Sequence, residues 1–288
     1  MKREHALMSF VASMGIGALV GLAGSDGGDE QGGIKLFLLA TIVAFAINWI
    51  VFVPSYLART EHYYDLTGSA TYLIVVAIAW ILSRNPDART AIIALVVITW
   101  ALRLGSFLFQ RVRNVGGDGR FDRIKHDWAR FLMAWTIQAL WVVFTAAAAL
   151  AAITSSTKKD FGVIGVIGLV VWIAGFAIEV IADQQKSAFR ADPANAGTFI
   201  RAGLWSRSRH PNYFGELVLW IGVAIMAFPV LQGWQYVTLL SPVFVFLLLT
   251  RVSGVPALEA RSDKKWSGQA EYEAYKDATP AFFPKLVG

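Results

Sequence analysis

Residues 203–222 read GLWSRSRHPNYFGELVLWIG, a polar and basic run that leads directly into an apolar segment. Proline is favoured at the first position of a helix, so we expect a helix to begin at Pro211. Asn212, Glu216 and Trp220 then fall on one face, at successive spacings of four residues. Ionisable groups at membrane depth are costly, and the N–H groups at a helix start favour an anion such as phosphate. The stretch therefore predicts a membrane helix with a binding site at its entrance.

The composition of the whole chain is that of a membrane protein. Hydrophobic residues make up 56% of its 288 residues, and its mean hydropathy is +0.52. Soluble domains are usually about 45–50% apolar. We expect an all-α polytopic membrane bundle of seven or eight transmembrane helices. Apolar runs of sufficient length predict about eight spans, at 6–23, 34–57, 68–82, 91–109, 129–153, 161–181, 213–230 and 236–250.

Charged residues are distributed unevenly between the two ends of these spans. Basic residues concentrate between the fourth and fifth spans, before the seventh span and in the tail, whereas segment 24–33 is acidic. If the spans alternate, the basic segments lie on one side, which the positive-inside rule assigns to the cytoplasm. The net charge of +6 fits either topology alone or phosphate binding. No soluble module accompanies the arginines, so nucleic acid is not an expected partner.

A second group of polar residues lies at the end of the sixth span. Asp183 and Arg190 are two helical turns apart on one face. They are ordinary surface charges of a helix entering water, or they join Arg209 and His210 because short connections bring helix ends together. In the tail, Glu259 and Arg261 could complete such a basic cup. Tyr275 shares with Trp266 and Tyr272 the spacing of an interfacial helix.

The runs SRHPNYFGE at 208–216 and EYEAY at 271–275, with the Asp183 and Arg190 spacing, resemble the bacterial DUF1295 branch of the steroid 5-alpha-reductase superfamily. In that superfamily the C-terminal half holds NADPH. The resemblance implies a cofactor half at 128–288 and a substrate half at 1–127 within one membrane domain. It assigns cofactor contacts to Asp183, Arg190, Gly203, Asn212, Glu216 and Tyr275, and we add the neighbouring Arg209, His210, Glu259, Arg261, Arg103 and Arg111.

The chemistry of these residues agrees with that assignment. Arginines bind pyrophosphate and a 2′-phosphate bidentately, and an Asn with a Glu can hydrogen-bond a carboxamide. No GxGxxG motif follows a strand, so a Rossmann site is not expected. The histidines lack a metal-ligand spacing, and we expect no metal site. Arg103 lies too deep in its span for snorkelling to explain it, whereas Arg111 also fits a topology signal.

Residues 61–69 read EHYYDLTGS, a concentration of proton-bearing groups at the start of the third span. Asp65 or Thr67 could simply cap a helix beside interfacial tyrosines. The resemblance implies a catalytic role instead, because steroid reductases carry at this helix start a Glu that orients the substrate ketone, and Asp65 falls at that place. We expect Tyr64, or Tyr63, to assist it.

A catalytic tyrosine of the steroid reductases is not kept in this chain. It stands three residues before an arginine, and here Trp100 precedes Arg103 at that spacing. An indole N–H donates a hydrogen bond but cannot supply a proton as a phenol does. Either Tyr64 or Tyr63 therefore substitutes, or the substrate differs.

The resemblance implies an NADPH-dependent reductase of a conjugated C=C bond in a lipophilic substrate such as a steroid or polyprenoid, which enters from membrane lipid. A membrane methyltransferase that uses S-adenosylmethionine is the rival enzyme, because isoprenylcysteine methyltransferases share an Arg-His-Pro motif. Those enzymes tend to carry paired glutamates where this chain has Glu259 and Ala260. A non-catalytic membrane protein or transporter is the third alternative.

Overall fold

The computed structural model describes residues 3–84, 86–115, 119 and 121–285. Its α-helices in chain order are α1 (Arg3–Gly24), α2 (Leu36–Leu57), α3 (Tyr64–Leu82), α4 (Ala88–Val115), α5 (Trp128–Thr145), α6 (Ala147–Thr154), α7 (Gly162–Ala191), α8 (Pro211–Ala227), α9 (Ser241–Leu247), α10 (Gly254–Trp266) and α11 (Ala270–Ala278). Two short strands, β1 (Glu30–Gln31) and β2 (Ile34–Lys35), pair antiparallel. The predicted all-α membrane fold is confirmed.

The predicted number of spans also agrees with the helices. Among the described residues, 7 helices are long and apolar enough to cross a membrane, or up to 8 if the bent pair of α5 and α6 is one span. That pair corresponds to the predicted fifth span, which is broken by a bend of 56°. The predicted eighth span is irregular, because 3-10 helix Gly233–Leu240 precedes α9 and a π-helical turn Leu248–Val252 follows it.

The chain divides into two compact units. Unit 1 comprises Met1–Gly165 and Met226–Ser241, and unit 2 comprises Val166–Ile225 and Pro242–Gly288. The division predicted at residue 127 is one of function, between a substrate half and a cofactor half, and it stays a prediction. In unit 1, α1 and α2 pack on α5, and α3 packs on α2 and α4. Buried side-chain hydrogen bonds support this packing, for example from Asn48 Nδ2 to Thr71 Oγ1 across 3.3 Å.

Unit 2 is built on a close contact between α7 and α8. A Cβ atom added to Gly175 would lie 2.4 Å from the backbone N of Leu219, and one added to Gly222 would lie 2.5 Å from the backbone N of Trp172. Small residues allow membrane helices to approach until their backbones touch. The glycines on these two helices therefore fix the register of α8 against α7, and with it the position of the polar residues at the start of α8.

Candidate cofactor and substrate sites

Helix α8 begins at Pro211, as the sequence predicts, and its first polar residue faces α7. The Asn212 side-chain Nδ2 donates a hydrogen bond to Asp183 Oδ1 across 3.1 Å. Asp183 is buried, with 7% of its surface exposed. The Asn212 Oδ1 atom is also buried, and it has no hydrogen-bond partner among the described residues. The Asp183–Asn212 pair thus presents a buried acceptor that a ligand N–H or O–H group could satisfy.

A second polar group, the Glu259 cluster, consists of Arg209, His210 and Glu259. Glu259 Oε2 accepts hydrogen bonds from Arg209 Nη2 at 2.7 Å and Arg209 Nε at 3.1 Å. Its other oxygen, Oε1, lies 2.8 Å from His210 Nε2. The side chains of Arg209 and Glu259 are 15% and 20% exposed, so the ion pair is largely sheltered from water. The predicted proximity of Glu259 to the Arg-His-Pro motif is therefore present.

Arg209 also fastens the C-terminal tail to the start of α8. Its Nη1 donates to the backbone carbonyls of Lys276, at 2.8 Å, and Thr279. Its backbone N–H donates to the carbonyl of Pro280 across 2.9 Å. A guanidinium has five N–H donors, and these contacts use most of them. The geometry gives Arg209 a structural role and leaves it little capacity for a phosphate.

His210 is buried, with 5% of its surface exposed. Burial lowers its pKa below the ordinary 6.5, although the hydrogen bond to the Glu259 carboxylate opposes this shift. The imidazole is therefore neutral at pH 7, and its Nε2–H donates to the Glu259 carboxylate. The Nδ1 atom is then an acceptor, and it has no hydrogen-bond partner among the described residues. Among its described residues, unit 2 thus contains two buried acceptors without hydrogen-bond partners, on residues 210 and 212.

The segment before α8 is folded against the end of α7. Gly203 has φ +61, and a Cβ atom there would lie 2.5 Å from Gln185 Nε2, so the position suits glycine alone. Trp205 Nε1 donates to the carbonyl of Ala182 across 3.0 Å. Lys186 Nζ lies over the Trp205 ring, 4.4 Å from its centroid. The Lys186 ammonium group is thus held against the face of the Trp205 ring. In sequence, Lys186 follows Asp183 by three residues on α7.

Tyr275 is tied to the same segment. Its hydroxyl donates to the backbone carbonyl of Trp205 across 2.6 Å, and burial raises its pKa, so the phenol stays protonated. Its ring belongs to an aromatic cluster around Phe199, whose centroid lies 5.3 to 5.6 Å from those of Tyr272, Tyr275 and Trp266. The predicted tail aromatics therefore pack around one residue that the sequence did not single out.

The remaining predicted cofactor residues of unit 2 lie nearer the surface. Glu216 is half-buried on α8, one turn after Asn212. Arg190 lies in the last turn of α7 and is exposed. Arg261 is exposed on α10, and no described hydrogen bond joins it to the Glu259 cluster. Arg190 and Arg261 are thus exposed to solvent, whereas the side chain of Arg209 is largely sheltered.

In unit 1, Asp65 lies in the first turn of α3 and is half-buried. The helix cap is Tyr63, without a side-chain cap hydrogen bond, so the alternative in which Asp65 or Thr67 caps the helix is wrong. The N–H groups of a first turn carry partial positive charge, which stabilises a nearby negative group. Gln138 Nε2 donates to the backbone carbonyl of Tyr64 across 2.8 Å and so holds this turn against α5.

Tyr64 and Tyr63, the predicted assistants of Asp65, lie in different surroundings. The Tyr64 hydroxyl donates to the backbone carbonyl of Ala134 across 3.0 Å. Its ring packs against Phe121 and Trp135, with centroids 4.6 and 5.1 Å away. Tyr63 is 55% exposed. Tyr64 therefore joins α3 to α5, and this hydrogen bond commits its phenol proton to a backbone carbonyl.

Trp100, which replaces the expected tyrosine, is buried on α4 with 2% of its surface exposed. The ring of Tyr72 on α3 meets it edge-on, with centroids 5.1 Å apart and an interplanar angle of 89°. Arg103 is half-buried, and its Cζ lies 5.4 Å from the centroid of Phe107. Arg111 lies outside the residues whose side chains the structure describes.

The sequence does not indicate the contacts of several residues that shape these sites. Glu61 is 6% exposed and accepts a hydrogen bond from Lys125 Nζ across 2.9 Å. This hydrogen bond raises the pKa of Lys125. Tyr72 and Gln138 looked like ordinary helix residues. Glu61 lies in the polar run 61–69 that the sequence does single out, but nothing in the sequence pairs it with Lys125. The contacts of Tyr72 likewise depend on how α3 packs on α4.

The helices and their buried polar residues define a polytopic integral membrane protein. Within that class the chain belongs to the DUF1295 family, because the model of this family matches residues 51–279. The description of the family is "Protein of unknown function". The predicted family membership is confirmed. No solved structure matches the chain. Among the described residues, no group of three His, Asp or Glu side chains could hold a metal ion.

Three relatives illustrate what the chain is similar to. An uncharacterized protein of Schizosaccharomyces pombe is 25% identical over 230 residues, which are 69% of this chain and 64% of the relative. The 3-oxo-5-alpha-steroid 4-dehydrogenase 1 of Bos taurus is 29% identical over 121 residues, 42% of this chain and 41% of the relative. The Steroid 5-alpha-reductase DET2 of Arabidopsis thaliana is 31% identical over 41% of this chain and 40% of the relative. The chain thus spans less than two thirds of each relative.

Proposed function

We propose that this protein is an NADPH-dependent reductase of a conjugated C=C bond in a lipophilic ketone, such as a steroid or polyprenoid enone. One observation carries the proposal: Asn212 Oδ1 and His210 Nδ1 are buried acceptors without partners among the described residues. Buried polar groups are costly unless a hydrogen bond satisfies them. Relatives named as a 3-oxo-5-alpha-steroid 4-dehydrogenase and as a steroid 5-alpha-reductase support the reaction class.

The chemistry of NADPH fits these two acceptors. Its carboxamide NH₂ and its ribose hydroxyls are donors, and Asn212 and His210 would accept from them. Glu216, one helical turn beyond Asn212, adds a carboxylate acceptor on the same face. The exposed Arg190 and Arg261 would neutralise the phosphates. When bound, NADPH would supply the hydride that goes to the β-carbon of the enone.

Asp65 would act on the substrate carbonyl oxygen. Hydride addition at the β-carbon places negative charge on that oxygen, and groups that stabilise this charge lower the barrier. Asp65 would orient this carbonyl group, and the first-turn N–H groups of α3 would add the partial positive charge that stabilises its oxygen. The α-carbon would afterwards take a proton from water.

A phenol that assists Asp65 is better supplied by Tyr72 than by Tyr64. Tyr72 follows Asp65 by seven residues on α3, which is two turns along the same face. Its ring also contacts Trp100, the residue that stands where the steroid reductases carry a catalytic tyrosine. Tyr64, by contrast, donates its hydroxyl hydrogen to the Ala134 carbonyl.

Ligand-induced stabilisation of the purified protein tests this function against the methyltransferase. We expect NADPH to raise the unfolding temperature in detergent and S-adenosylmethionine to leave it unchanged. Oxidation of NADPH in the presence of a lipophilic enone, followed through the nicotinamide absorbance, would then establish the reaction. Stabilisation by S-adenosylmethionine alone would overturn the proposal, and a response to neither compound would favour a non-catalytic membrane protein.

We further propose a bacterial inner membrane location with the cofactor half facing the cytoplasm.

A further inference from the structure

A cavity of about 470 Å³ lies in unit 1, apart from every residue assigned above. It is formed where α4 begins and where the chain enters α7. Its lining consists of two short runs, Asp87, Ala88 and Arg89 on one side and Lys158, Lys159, Asp160 and Phe161 on the other. The charged residues among them are three cations and two carboxylates, so the lining carries one net positive charge.

Arg89 forms the fixed wall of this cavity. It is 2% exposed, and its guanidinium donates to the backbone carbonyls of Met226 at 2.6 Å, Asp160 at 2.5 Å and Phe161 at 2.9 Å. Its Cζ also lies 5.5 Å from the centroid of the Phe161 ring. These bonds hold the segment before α7 against the first turn of α4. The cavity therefore has a stable shape, while the charge of Arg89 is already engaged with the backbone.

Among the cations that line this cavity, Lys158 is buried at its charged end, the Nζ atom, without a hydrogen-bond partner in the described part of the chain. A buried ammonium group costs several kcal/mol unless an anion or acceptor compensates it. The Asp87 carboxylate is engaged as the cap of α4, where its Oδ1 accepts from the Thr90 backbone N–H across 2.8 Å. Asp160 is exposed and its carbonyl already binds Arg89.

We propose that this cavity binds a phosphate group, with Lys158 as the principal donor. A phospholipid headgroup or free phosphate could supply that group. The position favours the headgroup, because α4 and α7 both meet the length and composition of membrane spans and the cavity lies at their first turns. Exposed apolar side chains continue from it along α7, with Val163 76% and Ile164 45% exposed. Acyl chains of a bound lipid would lie along these residues.

Titration of the delipidated full chain in detergent tests the proposal. The probes are dihexanoyl phosphatidylglycerol, inorganic phosphate, and dihexanoylglycerol, which lacks the phosphate. Binding is measured by the rise in unfolding temperature and by the lipid retained in native mass spectrometry. The variant is Lys158→Met, and the matched control is Lys264→Met, which removes an exposed lysine of α10 that does not line the cavity.

We expect the phosphatidylglycerol to bind the wild type and Lys264→Met with equal affinity, and Lys158→Met with at least about tenfold lower affinity, the loss typical of a charged hydrogen bond. Dihexanoylglycerol should not bind. Without ligand, Lys158→Met should unfold at the same temperature as the wild type or higher, because an unpaired buried charge is removed. Lys158-dependent binding of inorganic phosphate would identify free phosphate as the occupant. Unchanged affinity in Lys158→Met, or equal binding of dihexanoylglycerol, would overturn the phosphate site.

Discussion

Asn212 donates through Nδ2 to Asp183 Oδ1 across 3.1 Å, although 29 residues separate them in sequence. The pair forms because α7 and α8 approach until Gly215 touches the α7 backbone, which brings the first turn of α8 beside Asp183. A Cβ atom on Gly215 would lie 2.6 Å from the backbone N of Glu179 and 2.7 Å from the carbonyl of Gly175. The polar site of unit 2 therefore depends on a helix contact that only glycine permits.

Gly215→Ala should accordingly destabilise the protein. The added methyl group meets backbone atoms that cannot rotate away, and overpacking of this kind costs about 1–3 kcal/mol. The unfolding temperature in detergent checks the prediction. Gly15→Ala on α1 is the control, because a Cβ atom there has nothing within 4 Å. Equal unfolding temperatures for the two variants would contradict the tight contact.

Glu259→Gln should loosen the tail from the start of α8. Glu259 accepts from both Arg209 and His210, and a hydrogen bond to a charged group contributes about 1.5–3 kcal/mol. We expect a lower unfolding temperature and faster proteolysis after α9. Glu273→Gln on exposed α11 surface is the control. If proteolysis of the tail is unchanged in Glu259→Gln, the Glu259 cluster does not hold it.

The stability of the protein should depend on pH through His210. Burial lowers the pKa of His210 below 6.5, so the unfolded chain binds a proton before the folded protein does. Stability is then complete above about pH 6.5 and falls as the pH drops towards the folded pKa, by at most about 1.4 kcal/mol per pH unit. His210→Gln keeps a donor for Glu259 and should lose this part of the dependence. The check is the difference in unfolding temperature between the two proteins from pH 8 to 5, and a difference that stays constant speaks against a buried neutral histidine.

Asp65→Asn should lower the turnover of an enone and leave NADPH affinity nearly intact, since Asp65 would act on the substrate oxygen. Turnover and cofactor affinity measured on the same preparation check this. An equal loss of both would mean that Asp65 has a structural role.

Tyr72→Phe and Tyr64→Phe separate the two candidate phenols. Removing the Tyr72 hydroxyl should reduce turnover, because this phenol would assist Asp65. Removing the Tyr64 hydroxyl should lower stability by about 1 kcal/mol, because it breaks the bond to the Ala134 carbonyl. Thermal unfolding and steady-state turnover of both variants give the answer. A turnover loss confined to Tyr64→Phe would return the catalytic assignment to that residue.

Much of the fold could be predicted from sequence because span length and proline position are local signals. The start of α8 at Pro211 and most spans follow from them. The bend between α5 and α6 has no such signal, since the break at Ala146 lies in an alanine-rich run without proline or glycine. Its cause is tertiary, because every residue of α6 is buried.

The roles of individual site residues were harder to predict than their location. The sequence grouped Arg209 with the other arginines as a phosphate ligand, yet its partners include the carbonyls of Lys276 and Thr279. Every residue has the same backbone carbonyl group, so the sequence does not indicate which carbonyl accepts a hydrogen bond. Likewise, Tyr64 and Tyr72 are the same residue type in the sequence. The hydrogen bond of Tyr64 to the Ala134 carbonyl and the ring contact of Tyr72 with Trp100 distinguish them.

Binding of NADPH to the wild type and to Asn212→Ala tests the central claim most directly. Nicotinamide fluorescence on titration gives both affinities, and Asn195→Ala, which alters a loop asparagine bonded to the Phe189 carbonyl, is the control. We predict saturable binding to the wild type and to Asn195→Ala, with at least about tenfold weaker binding to Asn212→Ala. Absence of binding to the folded wild type, or equal affinity in all three proteins, would contradict the proposed cofactor site.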